Sequence, residues 1–379
     1  MSVLIKNRFK ILCGILLLVG ALFFTFINFI SDKGTKITEW NNYYNENNIV
    51  FFYEELPNEK LSLLNSTYKI QEIVKAEKSE FDRVEKAINM IRSMMKVDKI
   101  DNTGLDNGYD ILSRKTQSNK TSFKDMAITA RDFVNSLGIK CRIGVFRKGN
   151  SNFNSDIEYY VLEYWSTEYN KWVMMDINYG GYLEDGDKKM SAMEVINSDI
   201  KKIAYMGDVS QADYKNNISK YFDSYTVSIE NSFEKKRSNC NVTYVKDESA
   251  VEYRIKNTFA QPTVFTEETG LFEKSPYDTL VGSDEKAYLL VCGAISHKDD
   301  DSEENKNKKQ DKKEIKEDTV FIAAFKDDKV LKSFYLNING KGYEQVTDNK
   351  EVQLSKGSNT IELSLDGSNT MTSVTIEKK

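Results

Sequence analysis

An unbroken apolar segment near the start of the chain, Ile11–Ile30, dominates the hydrophobic pattern. Its twenty residues include no charged side chain, and a helix of that length spans a hydrocarbon core of roughly 30 Å. The segment ends in Phe29 and Ile30 rather than in the small residues of a signal-peptide cleavage site, which favours an uncleaved anchor. Its N-terminal flank is basic, and the positive-inside rule assigns such a flank to the cytoplasm: Lys6, Arg8 and Lys10. We therefore expect a single-pass protein of the cell membrane, with a cytoplasmic tail (1–10), a transmembrane anchor (11–30) and an extracytoplasmic remainder.

Two later segments have the period of amphipathic helices. Ser79 and Asp82 have the spacing of a capping box, and apolar residues follow at steps of three and four: Phe81, Val84, Ile88, Ile91 and Met95. Ser122 and Asp125 repeat this spacing before an apolar face that Gly138 ends: Met126, Ala130, Phe133 and Leu137. We predict a helix over each segment. The sequence between them is rich in Gly, Asn and Asp and predicts an exposed connection.

After Gly138 the pattern changes from helical to extended. Three β-branched or aromatic runs are separated by Asn, Ser, Gly and Thr: Ile139–Phe146, Ile157–Trp165 and Lys171–Ile177. Helices followed by such a meander indicate the α+β class, with helices on one side of an antiparallel sheet. We assign residues 37–206 to this first domain.

The remainder divides into a region of unassigned fold and a region of regular strands. Residues 207–277 contain short strands whose arrangement the pattern leaves open. Residues 278–379 contain strands at regular spacing with glycine turns, which predicts an all-β sandwich. Between the first two of its strands, 298–318 is almost wholly charged and lacks apolar residues to bury. We expect a disordered loop there, with a polyampholyte binding patch as the alternative.

Composition excludes several classes of function. A formal net charge of −5, from 53 Lys and Arg against 58 Asp and Glu, gives no global basic field, so we expect no nucleic-acid partner. There is no zinc, calcium or phosphate-loop motif, and we expect no metal or cofactor. Cys13 lies in the apolar segment, which leaves three cysteines and at most one disulfide. Cys240 and Cys292 are the candidate pair, unless both are buried thiols. Abundant Lys and Asn with three prolines suggest a bacterial protein from a genome of low GC content.

Residues Leu61 to Tyr182 resemble the transglutaminase-like superfamily of papain-like fold. The resemblance lies in the order of the second helix, Leu137-Gly138-Ile139 with Arg142, a strand that contains Glu163, and Trp172-Val173 with Asp176. It implies a nucleophilic Cys at the N-terminus of the helix, a His base on the next strand and an Asp that orients the His. A helix N-terminus and an adjacent imidazolium both favour the thiolate.

Carried over residue by residue, the family triad falls on Phe123, Tyr159 and Asp176, so only the Asp is retained. A phenyl ring cannot act as a nucleophile, and a phenol with a pKa near 10 is a poor base at neutral pH. The sole histidine, His297, lies outside this region. The resemblance therefore implies a degenerate, catalytically inactive domain, in which Tyr159 could donate to Asp176 as an imidazole would.

Four other groups have two interpretations each. Ser122 is either a substitute nucleophile or, as its spacing favours, a helix cap. Cys141 is either a substitute nucleophile or, as its place on the strand after the helix favours, a buried residue. Glu163 either shares the cleft with Asp176, as a carboxylate pair suited to glycoside hydrolysis, or pairs with Arg142. Several tyrosines either line a saccharide or peptide groove or pack the core: Tyr43, Tyr44, Tyr159, Tyr160, Tyr179 and Tyr182.

We therefore expect a binding or scaffolding protein of the cell envelope, with Phe123, Tyr159, Glu163 and Asp176 at the binding site. Wall peptide, wall polysaccharide or an envelope protein is the expected partner, on the general behaviour of the fold family alone. The alternative is an active hydrolase or acyl transferase that uses Ser122 or the carboxylate pair. A purely structural spacer is the third hypothesis.

Overall fold

The computed structural model describes residues 35–114, 118–149, 157–233, 237–256, 262–279, 282–297 and 313–379. The predicted cytoplasmic tail and the anchor, Ile11–Ile30, lie outside these residues. Within the described ranges, no helix has both the length and the apolar character needed to cross a bilayer.

Nine helices, α1 to α9, are present in the described part of the chain, which also contains a short 3-10 helix, Ser219–Tyr221. They are, in chain order, Glu59–Tyr68, Ile70–Val74, Glu80–Met94, Gly108–Ser113, Phe123–Asn135, Ala192–Asn197, Gln211–Ile218, Glu248–Lys256 and Gly270–Glu273. The two predicted helices are confirmed as α3 and α5, each with its predicted serine cap: Ser79 accepts from the N–H of Asp82, and Ser122 from that of Asp125. The predicted exposed connection holds one further helix, α4.

The largest sheet has nine strands and is antiparallel except for one pair. Its strands are β4 (Cys141–Arg147), β5 (Glu158–Ser166), β6 (Lys171–Met175), β7 (Tyr182–Asp185), β8 (Lys188–Lys189), β9 (Ala204–Met206), β10 (Ser224–Ser228), β11 (Asn241–Val245) and β12 (Thr263–Thr266). The order is β12-β11-β10-β4-β5-β6-β7-β8, with β9 also paired to β7. The region 207–277 thus supplies three of these strands. The predicted domain boundary at residue 206 is therefore corrected, because the strands on both sides of it belong to one continuous sheet.

The C-terminal region forms two further antiparallel sheets. One has the order β1-β20-β19-β16-β17, with β1 Thr35–Asn41, β16 Ser333–Ile338, β17 Tyr343–Thr347, β19 Gly357–Ser364 and β20 Thr372–Lys378. The other contains β13 (Tyr288–His297), β14 (Lys313–Lys326), β15 (Lys329–Val330) and β18 (Lys350–Gln353). A separate two-stranded sheet joins β2 (Lys96–Val97) to β3 (Lys120–Thr121). The chain is therefore a mixed α+β protein made mostly of sheet.

The structure differs from the prediction at two boundaries of the C-terminal region: the strand at its start and the end of the charged loop. Strand β1, which we assigned in part to the first domain, pairs with β20 and so belongs to the C-terminal region. The predicted loop 298–318 is strand from residue 313 onward, because β14 continues its pairing with β13 down to His297. Residues 298–312 lie outside the described part.

Three apolar clusters hold these layers together. One packs helices α1 to α5 on one face of the large sheet and includes Phe133, Ile88 and Leu162. The second covers the opposite face and extends to Tyr288 and Phe325 of the C-terminal region. The third lies between the two C-terminal sheets. Because residues of the large sheet and of the C-terminal region are buried together in the second cluster, the C-terminal region packs directly on the large sheet.

Helix α5 is the central helix of the site described below, and every residue from Asp125 to Asn135 is buried. Its buried carboxylates are matched by donors: Asp125 accepts from the N–H and hydroxyl of Thr103, and Asp132 accepts from the N–H of Gly108. A Cβ at Gly108 would lie 3.0 Å from the backbone of α5. Glycine therefore allows the close approach of α4 that fixes the position of α5.

Candidate functional site

Phe123, Tyr159 and Asp176 come together, as the sequence predicts. Phe123 is the first residue of α5, Tyr159 the second residue of β5, and Asp176 follows β6 directly. The rings of Phe123 and Tyr159 meet edge to face, with centroids 5.1 Å apart. The Tyr159 hydroxyl donates a 2.5 Å hydrogen bond to Oδ2 of Asp176. The three positions therefore adjoin one another through the two rings and the carboxylate.

Asp176 is held as a fixed acceptor beneath this contact. Its Oδ1 accepts from the N–H groups of Asn178 and Tyr179, at 2.8 and 2.7 Å. Burial raises the pKa of Asp176, and these hydrogen bonds oppose the shift only in part. Burial, followed by the charge of Asp176, raises the pKa of Tyr159 well above its usual value. Tyr159 therefore stays protonated near neutral pH, with its hydrogen committed to Asp176, and is no base.

The two candidate substitute nucleophiles have structural roles. Ser122 is buried, and its Oγ accepts from the N–H of Asp125 at 3.0 Å, which is the cap geometry. In a complete capping box the side chain of Asp125 would accept from the N–H of Ser122. Here the carboxylate of Asp125 accepts from Thr103 instead. Cys141 is buried and donates to the carbonyl of Arg131. Burial raises its pKa, so the thiol does not ionise readily.

Glu163 forms an ion pair with Arg142, which is the second of its two interpretations. It lies directly opposite Arg142 across β4 and β5, and its Oε2 accepts from Nε and Nη2 of Arg142 at 2.8 and 2.7 Å. The hydroxyl of Tyr225 and the N–H of Ala192 supply the remaining bonds. Glu163 is completely buried and does not line the groove beside Phe123 and Tyr159. The structure therefore corrects its assignment to the binding site and to a carboxylate pair with Asp176.

A groove of about 700 Å³ opens beside Phe123 and Tyr159, whereas Asp176 is fully buried and does not line it, which corrects its assignment as a ligand-contacting residue. The floor of the groove contains four aromatic rings in contact, which we term the aromatic row: Tyr221, Tyr159, Phe123 and Tyr160, with successive centroids 5.3, 5.1 and 5.4 Å apart. The other lining residues are mostly polar: Val97, Asp98, Lys99, Ile100, Asp101, Asn102, Ser122, Lys124, Lys148, Glu158, Asn178, Tyr179, Asn217 and Lys220. Flat rings surrounded by amides and charges can hold an extended ligand by stacking and hydrogen bonding.

Of the six tyrosines proposed for a groove, three line this one: Tyr159, Tyr160 and Tyr179. The other three belong elsewhere. Tyr44 is buried and donates to Asp284, and Tyr182 packs edge to face on Phe81. Tyr43 packs near Trp40 of β1.

The residues that complete the groove beyond β5 were not predicted from the sequence. Tyr221 and Lys220 belong to the short 3-10 helix, and Lys148 follows β4. The run Lys220-Tyr221-Phe222 carried a weak signal, because a basic residue beside two aromatics is common at ligand grooves and in cores alike. Only the pairing of β10 with β4 brings that run next to Tyr159.

The described residues provide no evidence for a metal or redox centre. Among them, no three His, Cys, Asp or Glu side chains are grouped to hold a metal ion. Cys240 and Cys292, the candidate disulfide pair, are free. Burial raises the pKa of Cys240 to about 12, which is typical of a buried thiol.

Comparison with known proteins gives distant structural matches. No family model matches the chain, and no curated protein matches it. Red sea bream transglutaminase is similar over 84% of this chain and 72% of its own, at 10% identity and a TM-score of 0.28. A provisionally assigned protease from Parabacteroides distasonis is similar over 30% of this chain, at 12% identity and a TM-score of 0.22. The match spans 25% of the length of that protease. Neither score is high enough to establish a shared fold.

Proposed function

We propose that this chain is a catalytically inactive, transglutaminase-like binding or scaffolding protein of the cell envelope. The groove beside Phe123 and Tyr159 is its binding site, and the ligand is a peptide or a polysaccharide of the envelope. The apolar segment Ile11–Ile30 anchors the chain in the membrane, with the groove on the extracytoplasmic side.

The contact between Phe123, Tyr159 and Asp176 carries this proposal. An acyl-transfer triad needs a nucleophile at the start of the helix and a base that exchanges a proton with it. Here a phenyl ring stands at the first position, and a phenol whose hydrogen is committed to Asp176 stands at the second. The arrangement supports a preserved cleft without a nucleophile or a base, and the aromatic row supports a binding role.

Binding is tested with the purified full-length chain and purified cell-wall fragments. Tyr221→Ala removes a partly buried ring from one end of the aromatic row. We expect about a fivefold loss of affinity, since a stacked ring contributes on the order of 1 kcal/mol. Tyr277→Ala is the matched control, because Tyr277 is 61% exposed and lies outside the groove. A binding role for the groove is contradicted if no fragment binds the wild-type protein. It is also contradicted if Tyr221→Ala and Tyr277→Ala bind the fragments equally well.

The enzyme alternative is tested separately with acyl-transfer and peptide-hydrolysis assays on the same protein. We expect no turnover above the uncatalysed rate. Turnover that Ser122→Ala or Asp176→Ala abolishes, or a covalent adduct trapped on the purified chain, would overturn the proposal.

A further inference from the structure

The groove is more basic than the chain around it. The chain has a formal net charge of −5, yet lysines line the groove, and three of them have no carboxylate partner in the described part: Lys124, Lys148 and Lys220. Nζ of Lys148 lies 4.4 Å from the ring centre of Tyr221, at one end of the aromatic row. Two of the three lining carboxylates are already neutralised, because Asp98 pairs with Lys120 and Glu158 with Arg147. The lysines therefore leave positive charge available to a ligand.

A second source of positive charge lies behind Glu158. Arg147 and Arg254 are both at least nine-tenths buried. Oε1 of Glu158 accepts from Arg147 and Oε2 accepts from the hydroxyl of Tyr160, so both carboxylate oxygens are occupied. Two nitrogens of Arg254, Nε and Nη2, are buried without a hydrogen-bond partner among the described residues.

This arrangement has an electrostatic consequence. Burial, followed by repulsion from Arg147, lowers the pKa of Arg254 to about 9. Two buried guanidinium groups thus share the field of one carboxylate, and buried charge without full compensation is unfavourable by several kcal/mol. Lys148 and Lys220 line the groove, so the positive groups in its wall and behind Glu158 outnumber that carboxylate, which favours an incoming anion. We term Lys148 and Lys220, with Arg147 and Arg254 behind Glu158, the basic end of the groove.

The neutral part of the groove combines aromatic rings with side-chain amides. The aromatic row lines the cavity together with three side-chain amides: Asn102, Asn178 and Asn217. The amide of Asn217 donates to the Tyr179 hydroxyl, which holds it at the wall of the groove. Ring surfaces complement the apolar faces of sugar rings, and amides both donate to and accept from hydroxyl groups.

We propose that the groove binds an acidic polysaccharide, with sugar rings on the aromatic row and a carboxylate or phosphate at the basic end. This inference rests on the proposed binding function, which leaves the ligand as peptide or polysaccharide. An anion at the basic end gains the interactions that Glu158 cannot supply, and stacking on Tyr221 places that anion beside Lys148.

Four polymers test the proposal with the purified full-length chain. Polygalacturonate supplies carboxylates and phosphomannan supplies phosphodiesters, both on sugar rings, whereas dextran is a neutral polysaccharide and poly-L-glutamate is an acidic peptide. We expect polygalacturonate, phosphomannan or both to bind at least tenfold more tightly than dextran and poly-L-glutamate. The affinity for the acidic polysaccharide falls as salt rises from about 0.05 to 0.5 M, because screening shortens the range of the field.

A double variant locates the site. Lys148→Gln with Lys220→Gln removes two exposed or half-buried charges and should lower affinity for the acidic polymer at least tenfold, with dextran binding unchanged. Lys341→Gln with Lys356→Gln removes the same charge from exposed turns of the C-terminal sheets and is the matched control.

Each contrary result has a distinct meaning. Equal binding of dextran and the two acidic polysaccharides, or equal loss in the two double variants, overturns the acidic preference and leaves the binding function intact. Tighter binding of poly-L-glutamate overturns the polysaccharide assignment. Failure to bind any polymer and any wall fragment contradicts the proposed function together with this inference.

Discussion

At the scale of single residues, the ion pair of Arg142 and Glu163 is a fully buried pair of charges in the large sheet. Both side chains are fully buried, and the guanidinium carbon of Arg142 lies 4.0 Å from the ring centre of Trp172. Nη2 of Arg142 also donates to the carbonyl of Phe272 in α9. Through these contacts the pair links β4, β5, β6 and α9, and the hydroxyl of Tyr225 adds β10.

Removal of one member of this pair should be severe. We expect Glu163→Ala to lower the free energy of unfolding by about 3–5 kcal/mol, because it leaves Arg142 charged, buried and uncompensated. Urea denaturation followed by circular dichroism measures the change. Glu344→Ala is the control: Glu344 pairs with Lys350 on the exposed surface, so its loss should cost under about 1 kcal/mol. Similar losses for the two variants would show that the buried pair has no special weight.

Arg142 and Glu163 also illustrate what single residues reveal before the fold is known. The alternation of β4 and β5 allowed two partners for Glu163, Asp176 and Arg142, because both lie at suitable spacing in the sequence. Strand register decides between them: Arg142 is directly opposite Glu163, whereas Asp176 lies beyond the end of β6. A local pattern specifies which face a residue occupies, but not which residue stands across from it.

At the scale of elements, the N-terminus of α5 determines the character of the site. Ser122 caps the helix, so its loss should destabilise the fold without removing a reactive group. We expect Ser122→Ala to lower the free energy of unfolding by about 1 kcal/mol, and Ser122→Thr to retain most of the stability. Denaturant titration measures both. A Ser122→Ala protein of unchanged stability would contradict the cap, and one that lost a measured turnover would revive the nucleophile.

The same helix end should still activate a thiol. Phe123 is the first residue of α5, where the helix dipole favours an anion. We expect Phe123→Cys to create a thiol with a pKa below the usual value of about 8.5, and Tyr159→His in addition to lower it further. The pH dependence of alkylation by iodoacetamide measures this pKa, with the wild type as background. Ser368→Cys, at an exposed turn, is the control. Equal thiol pKa values at positions 123 and 368 would contradict the triad alignment.

Elements were predictable where their stabilising contacts are local. The period of three and four in α3 and α5 reflects one buried face each, and both serine caps were correctly placed because capping acts over three residues. Helix α4 was missed because its sequence, Gly108–Ser113, reads as a connection. It is stable through Asn107, whose side chain accepts from the N–H of Asp110, and through packing on α5.

At the scale of the whole molecule, the predicted boundaries failed because non-local pairing assembles the sheets. Strand β10 reaches β4 across more than seventy residues, and β1 pairs with β20 at the opposite end of the described chain. No local period encodes such pairings. The site depends on the first of them, since the pairing of β10 with β4 carries Tyr221 and Lys220 to the groove.

The junction between the large sheet and the C-terminal region contains a buried carboxylate whose ionisation opposes folding. Asp328 is 2% exposed at the turn between β14 and β15, and its Oδ1 accepts from the N–H of Val50. Burial raises its pKa to about 6, and the nearby charges of Asp284 and Asp327 add to the shift, while Lys274 opposes it. The folded state thus binds a proton more tightly than the unfolded chain does.

Asp328→Asn should therefore stabilise the protein in a defined pH window. Because the folded pKa lies above the unfolded value of about 4, wild-type stability falls as pH rises from about 4 through 6 and stays lower above that. Asparagine resembles the protonated acid and keeps the acceptor for Val50. We expect a gain of about 1–2 kcal/mol at pH 8 that disappears near pH 4, measured by urea unfolding at both values. Asp348→Asn is the control, because Asp328 and Asp348 both have a positive φ, 65° and 60°, but Asp348 is exposed. A gain independent of pH, or equal in the control, would show that backbone conformation, and not the charge at the junction, limits stability.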